Sequence, residues 1–287
     1  MAWTKTYKEA EPCRINKWLA QSGVCSRREA DALIEAGQVS INGAVVTEAG
    51  RKIITGETLT LAGAATNKLD TQITAVLNKP VGYVSAQPEH DQIPAARLVN
   101  KPNLFGQSPA IPTRDTRLAP AGRLDQDSRG LLLLTEDGVL TKAIIGPTSN
   151  VDKEYLVTVT GKISPDKIAK LCHGLSLDGR QLRPAKVTRD NGQVLRFILK
   201  EGRKRQIRRM CEQVGLHVTD LFRIRIGGVS INDLPEGKWR ALTTKERDGL
   251  IKLGTGGNKT PARKPGGPPH SKVKKSMRHQ PFKTRKS

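Results

Sequence analysis

The chain has 287 residues, with 49 Lys plus Arg against 27 Asp plus Glu and a formal net charge of +22. That length accommodates one large domain and a small one, and so large a cationic excess points to a polyanionic partner, nucleic acid rather than membrane. No apolar run approaches the roughly 20 residues of a spanning helix. Residues 1–12 mix Lys5, Lys8, Glu9 and Glu11 without an apolar core, unlike a signal peptide. Cys13, Cys25, Cys172 and Cys211 are scattered with no Cys-x-x-Cys pair. They indicate neither a zinc site nor a disulfide framework, and a reducing cytoplasm fits them.

Residues 13–63 form the first unit. Ile15, Trp18 and Leu19 sit at helical spacing, and Gly23 stops that helix. Ser26-Arg27-Arg28-Glu29 is a capping box before a second helix, which carries Ala30, Leu33 and Ile34 on one face and ends at Gly37. Val39 to Ile41, Asn42-Gly43 and Ala44 to Val46 read as a hairpin on a type I′ turn. Arg27 and Arg28 fall in the first helical turn, where the helix dipole disfavours cations. A helix N-terminus flanked by arginines suits a phosphate, so RNA contact is preferred over an idle exposed pair. Residues 63–71 are polar and patternless and read as a linker.

From residue 73 to 253, short strands mix with helical patterns without strict alternation, which favours an α+β fold over a doubly wound sheet. Strands are expected at Thr74 to Leu77, Leu131 to Leu134, Tyr155 to Val159, Val194 to Leu199 and Ile224 to Ile226. Helices are expected from Pro165 to Cys172, opened by Ser164, and from Arg205 to Val214, ended by Gly215. Asp137-Gly138 reads as a turn after the Leu run. The remaining 254–287 segment holds cations without acids, about ten of them from Lys259 onward, and almost nothing apolar. A disordered, phosphate-binding tail is expected there.

Three clusters carry chemistry. Ala121-Gly122-Arg123-Leu124-Asp125-Gln126-Asp127-Ser128 runs into Arg129-Gly130 and four leucines, placing the Asp125 carboxylate at the mouth of a buried strand. Rigidly held and partly desolvated, it suits a nucleophile, although a loop Asp also caps its own backbone. Lys153-Glu154-Tyr155 opens a strand, and Tyr155 is a platform for a base or simply a half-buried strand residue. Arg203-Lys204-Arg205-Gln206-Ile207-Arg208-Arg209-Met210-Cys211 places Ile207, Met210, Cys211 and Val214 on one helical stripe. Arg208 falls on the shoulder of that stripe, where it needs a carboxylate partner, and Arg209 points away. Arg203, Lys204 and Arg205 precede the helix and are free for phosphates.

Residues 14–43 resemble the S4-type (alpha-L) RNA-binding domain. Gly122-Arg123-Leu124-Asp125 with the Leu run, Lys153-Glu154-Tyr155 and Arg205 to Met210 resemble, in order, the motifs of RNA pseudouridine synthases. Asn78-Lys79-Pro80-Val81-Gly82-Tyr83 is similar to that family's opening strand and turn. Together these place the chain in the S4-bearing ribosomal RNA branch, and its motifs most resemble the F-type synthases of the ribosomal large subunit. The resemblance implies a mixed-sheet catalytic domain over 73–253 behind an S4 domain over 13–63. It further implies a monomer acting on ribosomal RNA or its precursor particles, modifying a large-subunit uridine without cofactor or metal. It makes Asp125 the nucleophile, at C1′ or at C6, or the carboxylate that stabilises C1′, held ionised by Arg208 opposite it. Tyr155 would stack on the flipped base and relay the C5 proton, and Ile207 would line the apolar side of the pocket. Arg27, Arg28, Arg203, Lys204, Arg205 and Arg209 would bind RNA.

Two rivals stand beside this reading. Asp125-Gln126-Asp127-Ser128 is similar to the Asp-x-Asp-x-Thr of magnesium-dependent phosphatases, but there the apolar strand precedes the motif, and here it follows. A pure RNA-binding or ribosome-assembly factor with an inert catalytic domain is the other, and substitution of Asp125 separates it from an enzyme.

Overall fold

The computed structural model describes residues 2–256 except 49, 87, 90 and 114; the tail expected to bind phosphate lies, from residue 257 on, outside the described residues. Ile15, Trp18 and Leu19 are the buried face of α1 (Ile15–Gln21). The Glu29 amide donates to Ser26 Oγ at 3.2 Å and the Ser26 amide to the Glu29 carboxylate at 2.6 Å, a reciprocal cap opening α2 (Arg27–Glu35). The Val39–Ile41 and Ala44–Val45 strands pair across Asn42 (φ 50°) and Gly43 (φ 85°), the two left-handed positions a type I′ turn requires. With Trp3–Thr6 and Thr58–Leu61 they complete an antiparallel four-stranded sheet. Its inward side chains join Trp18, Leu33 and Ile34 in one small core.

Residues 63–71 are not the linker that their composition suggests. Gly63–Asp70 is a helix, α3, whose Ala65 and Leu69 enter the small core. Two apolar side chains one turn apart are too few to register as a period, yet enough to dock a short helix on an existing core.

The rest is built on one sheet, in spatial order Lys186–Arg189, Val194–Leu199, Lys153–Thr160, His217–Ile226, Arg129–Thr135, Thr74–Lys79, Trp239–Ala241. Neighbours are antiparallel except His217–Ile226 beside Arg129–Thr135, which run parallel. The four leucines explain the middle of this sheet. Leu132 and Leu134 enter the core on one face, and Leu131 and Leu133 the core on the other. A strand covered on both sides loses polar alternation, hence the unbroken apolar run.

One face is covered by α4 (Gly138–Ile145) and α7 (Thr244–Gly254) through Leu140, Ile144 and Leu250. The other is covered by α5 (Pro165–Cys172) and α6 (Gln206–Gln213) through Leu171, Ile207, Met210 and Cys211. This is the expected α+β arrangement. Asp137-Gly138, read as a turn, is instead the start of α4: the Asp137 carboxylate accepts from the Val139 and Leu140 amides at 2.9 and 3.0 Å. The strand expected at Ile224 to Ile226 begins at His217. Two register shifts against Lys153–Thr160 break its alternation, and Arg223 takes an inward position usually held by an apolar residue. No helix among the described residues is long and apolar enough to cross a membrane.

Gly130 sits where the two parallel strands converge. Its φ is 106°, and an added Cβ would press into the Arg223 carbonyl oxygen and come within 2.7 Å of the Phe222 ring. Gly237, at φ 77°, has open space around it. Gly130→Ala is therefore expected to lower the urea midpoint well beyond Gly237→Ala, which bears only the backbone cost of about 1 kcal/mol. Equal midpoints for the two variants would contradict this packing.

Lys79 ends its strand fully buried, donating to the carbonyls of Pro80 at 2.8 Å and Tyr83 at 2.9 Å. Burial, then the neighbouring Arg223 cation, lowers its pKa to about 8. Below pH 8 the folded protein carries a buried charge that the unfolded chain keeps in water; from pH 8 to about 10.5 the folded lysine loses its proton first, so its penalty fades. Whatever the offset between Lys79→Met and the parent chain at pH 7, parent stability relative to that variant should rise with pH across this window. Denaturant titrations at pH 7, 8.5 and 10 measure it, and a flat difference would show that Lys79 keeps an ordinary pKa.

Candidate active site

Four sets of hydrogen bonds fix the loop from Gly122 to Ser128. The buried Ser85 hydroxyl donates to the Leu124 carbonyl at 2.7 Å and accepts from the Leu124 amide at 2.9 Å, bracing the residue before Asp125. On the other side the Gly82 amide donates to the Gln126 carbonyl at 2.9 Å, and Gln126 Nε2 returns a bond to the Gly82 carbonyl at 3.2 Å. Arg223, only 1% exposed, donates to the carbonyls of Leu131 at 2.7 Å, Arg123 at 3.2 Å and Gly122 at 3.3 Å. Arg208 donates to the Asp127 carbonyl at 2.8 Å, Ser128 Oγ at 3.3 Å and the Val218 carbonyl at 3.2 Å.

Asp125 is thereby held on both sides through its neighbours' backbone while its own carboxylate stays uncommitted. The residue is half-buried and lines the cleft; its carbonyl accepts from the Ser128 amide at 3.1 Å, and its carboxylate forms no hydrogen bond or ion pair with any described residue. The sequence pairs Arg208 with this carboxylate, but the structure pairs it with Asp127, at 3.3 Å, together with the carbonyls above. The guanidinium is deeper than a shoulder position, with a side chain 9% exposed; one terminal nitrogen serves the loop and the other the Val218 carbonyl. Asp127 also pairs with Arg205 at 3.0 Å. Gripped by two arginines, the second Asp of the Asp-x-Asp pattern is poorly placed for the acid/base duty that the phosphatase reading gives it.

The cleft has a volume of about 950 Å³. Tyr155 lies on its wall, 8% exposed, and its phenol makes no hydrogen bond to any described residue. Its strand neighbours in register are Phe197 and Arg223. Ile207 lines the same cleft, as do Leu124 and Leu221, giving an apolar side to a space also bordered by Arg123, Lys204 and Arg205. Glu154, between Lys153 and Tyr155, serves the opposite face of the strand. Burial would raise its pKa, but hydrogen bonds from Arg225 and Arg196 outweigh that and hold it below the usual carboxylate range.

The expected RNA contacts divide into two groups. Arg27 and Arg28 are exposed and have no ion pair among the described residues. The end of their helix is not open, however: its cap is complete, and a Cβ on Gly138 would come within 2.6 Å of Ser26 Oγ, so α2 abuts the start of α4. The arginines thus extend from a domain junction rather than frame a vacant anion site. Lys204 lines the cleft and has no ion pair among the described residues. Arg203 is not free for phosphate, since it donates to the carbonyls of Leu177, Arg180 and Gln181 and so anchors that hairpin. Arg205 holds Asp127, and Arg209 grips Asp178 with bonds of 3.0 and 2.7 Å.

Sequence reasoning missed Ser85 and Arg223. Arg223 had a signal: it shares the inward phase of Leu221 within its strand. Ser85 had none, because a single serine in a polar turn does not announce a distant partner.

Residues 73–213 match the family described as RNA pseudouridylate synthase, and residues 13–59 match the S4 domain. The chain is similar to the dual-specificity RNA pseudouridine synthase RluF of Salmonella typhi, at 38% identity over 242 residues, 84% of this chain and 79% of that one. It is also similar to ribosomal large subunit pseudouridine synthase B of Bacillus subtilis, at 33% identity over 239 residues, 81% and 93% of the two chains. A crystal structure of a pseudouridylate synthase superposes with a TM-score of 0.58 at 28% identity, covering 83% of this chain and 99% of the other. A loop carboxylate braced through its neighbours, a tyrosine on the cleft wall and an S4 domain in front agree with these likenesses: the chain belongs to the S4-bearing RNA pseudouridine synthases, in the RluF-like group.

Proposed function

We propose that this pseudouridine synthase isomerises a uridine of large-subunit ribosomal RNA, acting in the cytoplasm as a monomer on that RNA or its precursor particles. The names of the relatives, RluF and the large-subunit synthase of Bacillus subtilis, support this target, and the dual-specificity designation supports a second RNA besides it. The domain division offered is an RNA-gripping unit over 13–63 and a catalytic unit over 73–253, with 254–287 adding affinity through charge.

The reaction breaks the N1–C1′ bond, turns the uracil and rejoins it through C5. The observation that carries the site assignment is the unpaired Asp125 carboxylate, braced on both sides and facing the cleft. Ionised there, it attacks the nucleotide or stabilises C1′ as the bond opens. A target uridine leaves its stack to reach it, and Tyr155 stacks on the extruded base and relays the C5 proton, since a phenol both donates and accepts. Ile207 lines the apolar side. Arg208 positions Asp125 through the Asp127 and Ser128 contacts. Arg27, Arg28, Lys204 and the tail meet phosphates, with Arg203, Arg205 and Arg209 contributing charge while holding the local fold.

Asp125→Asn is expected to abolish tritium release from [5-³H]uridine-labelled ribosomal RNA while leaving RNA affinity within about threefold and melting near that of the parent chain. Turnover that survives the substitution would remove the assignment and favour a binding factor.

Arg208→Ala should cost about 1–3 kcal/mol for each of the Asp127 and Val218 carbonyls that it leaves without a donor, or prevent folding, while Asp127 keeps its pair with Arg205. Arg209→Ala breaks a surface pair worth about 1 kcal/mol or less. Chemical denaturation of both variants, read beside their activity, decides the matter; similar small effects would reduce the cluster to an electrostatic patch.

A further inference from the structure

Lys153 is a buried cation that the roles above leave unused. Only 6% exposed, it shares one side of its strand with Tyr155, two residues on, and lines the same cleft. Its Nζ donates to the Ile144 carbonyl at 3.3 Å and the Val151 carbonyl at 3.1 Å. An ammonium has three donors, so one N–H is uncommitted among the described residues. No carboxylate pairs with it within ion-pair distance among the described residues. A cation left unpaired at the wall of a cleft is costly to keep unless an anion arrives there.

We propose that Lys153 is a catalytic residue, its fixed ammonium donating to the pyrimidine ring and stabilising the negative charge that develops there during isomerisation. This rests on the uridine isomerisation proposed above. When N1–C1′ breaks with Asp125 at C1′, the bonding pair stays with the base, giving a uracil anion delocalised over N1, O2 and O4. C5 then attacks C1′, the Asp125 carboxylate is released, the C5 proton leaves to a base in the site and N1 takes up a proton. Attack of Asp125 on C6 instead also places charge on the ring. In either route the charge appears only after the ground state, so a preorganised donor there lowers the barrier more than it tightens binding. Burial and the neighbouring Arg223 lower the lysine pKa to about 8, which strengthens it as a hydrogen-bond donor near neutral pH.

The test uses the full chain and two variants, Lys153→Met and Lys153→Gln; the glutamine keeps a donor for the two carbonyls while removing the charge. Single-turnover rates are measured at saturating enzyme on transcripts of the substrate RNA carrying either uridine or 5-fluorouridine, by digestion and mass analysis of nucleosides. Fluorine at C5 acidifies the base and stabilises its anion, so opening of the N1–C1′ bond then depends less on an outside charge; with no C5 proton to lose, the rejoined fluoro base takes up water at C6 instead, and the rate on that RNA is read as loss of the parent nucleoside. The expected result is a fall of about 100-fold on uridine for both variants, RNA affinity within about threefold, and a severalfold smaller fall on 5-fluorouridine. Near-parent rates for Lys153→Gln, or an equal fall on both bases, would overturn the proposal and leave Lys153 a structural residue. Asp125→Asn and the parent chain on the same RNAs report on the isomerisation reading itself: an inert parent chain counts against that reading, and an active parent with an unimpaired Lys153→Gln counts against the lysine.

Discussion

The Asp125 loop depends on a guanidinium without a carboxylate. Arg223 is almost completely buried, and its charge is solvated by the carbonyls of Gly122, Arg123 and Leu131, which lie on either side of Asp125 in sequence. One planar fork thus ties the start of the loop to the first leucine of the buried strand. Gly130 lets the two strands come close enough for this, since a side chain there would strike the Arg223 backbone. Because Arg223 takes only neutral partners, its positive charge is not cancelled locally. It contributes, after burial, to lowering the pKa of both Lys79 and Lys153.

The high net charge of the chain is used in two ways. Some arginines are internal fasteners: Arg208 and Arg205 on Asp127, Arg203 on the Ser176–Gln181 hairpin, Arg225 on Asp152 and Glu154. Others, such as Lys204, Arg27 and Arg28, have no acidic partner among the described residues. Fastening favours arginine, whose five donors can bridge carbonyls and carboxylates together. A basic motif counted as phosphate-binding from its composition can therefore be largely spent on the fold, as Arg203, Arg205 and Arg209 are.

Legibility in the sequence followed how local each cause was. The capping box at Ser26, the Asn42-Gly43 turn and the buried leucine strand were readable, because each depends on residues within a few positions of one another. The third-motif helix was readable as a stripe, but the partner of Arg208 was not, since helical phase says which side is buried and nothing about which loop arrives there. Helix α3 escaped notice because its helicity comes from the core that Ala65 and Leu69 meet, and α4 because Asp137-Gly138 fits a turn as well as a cap. The Asp125 loop could be recognised as a site, while its braces, Ser85 and Arg223, lie 39 and about 100 positions away from the residues they hold.

The contact between Ser26 and Gly138 gives α4 a metrical role. Its first residue bears on the capped end of the S4 helix that carries Arg27 and Arg28, and near its other end the Ile144 carbonyl holds Lys153 on the cleft wall. Eight helical residues span about 12 Å, a stiff spacer with little compliance. On the proposed reading, the distance from the front arginines to the reacting base is a property of the protein and not of the RNA. On that same reading a substrate qualifies by folding so that a backbone segment and an extrudable uridine stand that far apart, and RNA shape, more than the letters around the uridine, becomes the quantity being measured.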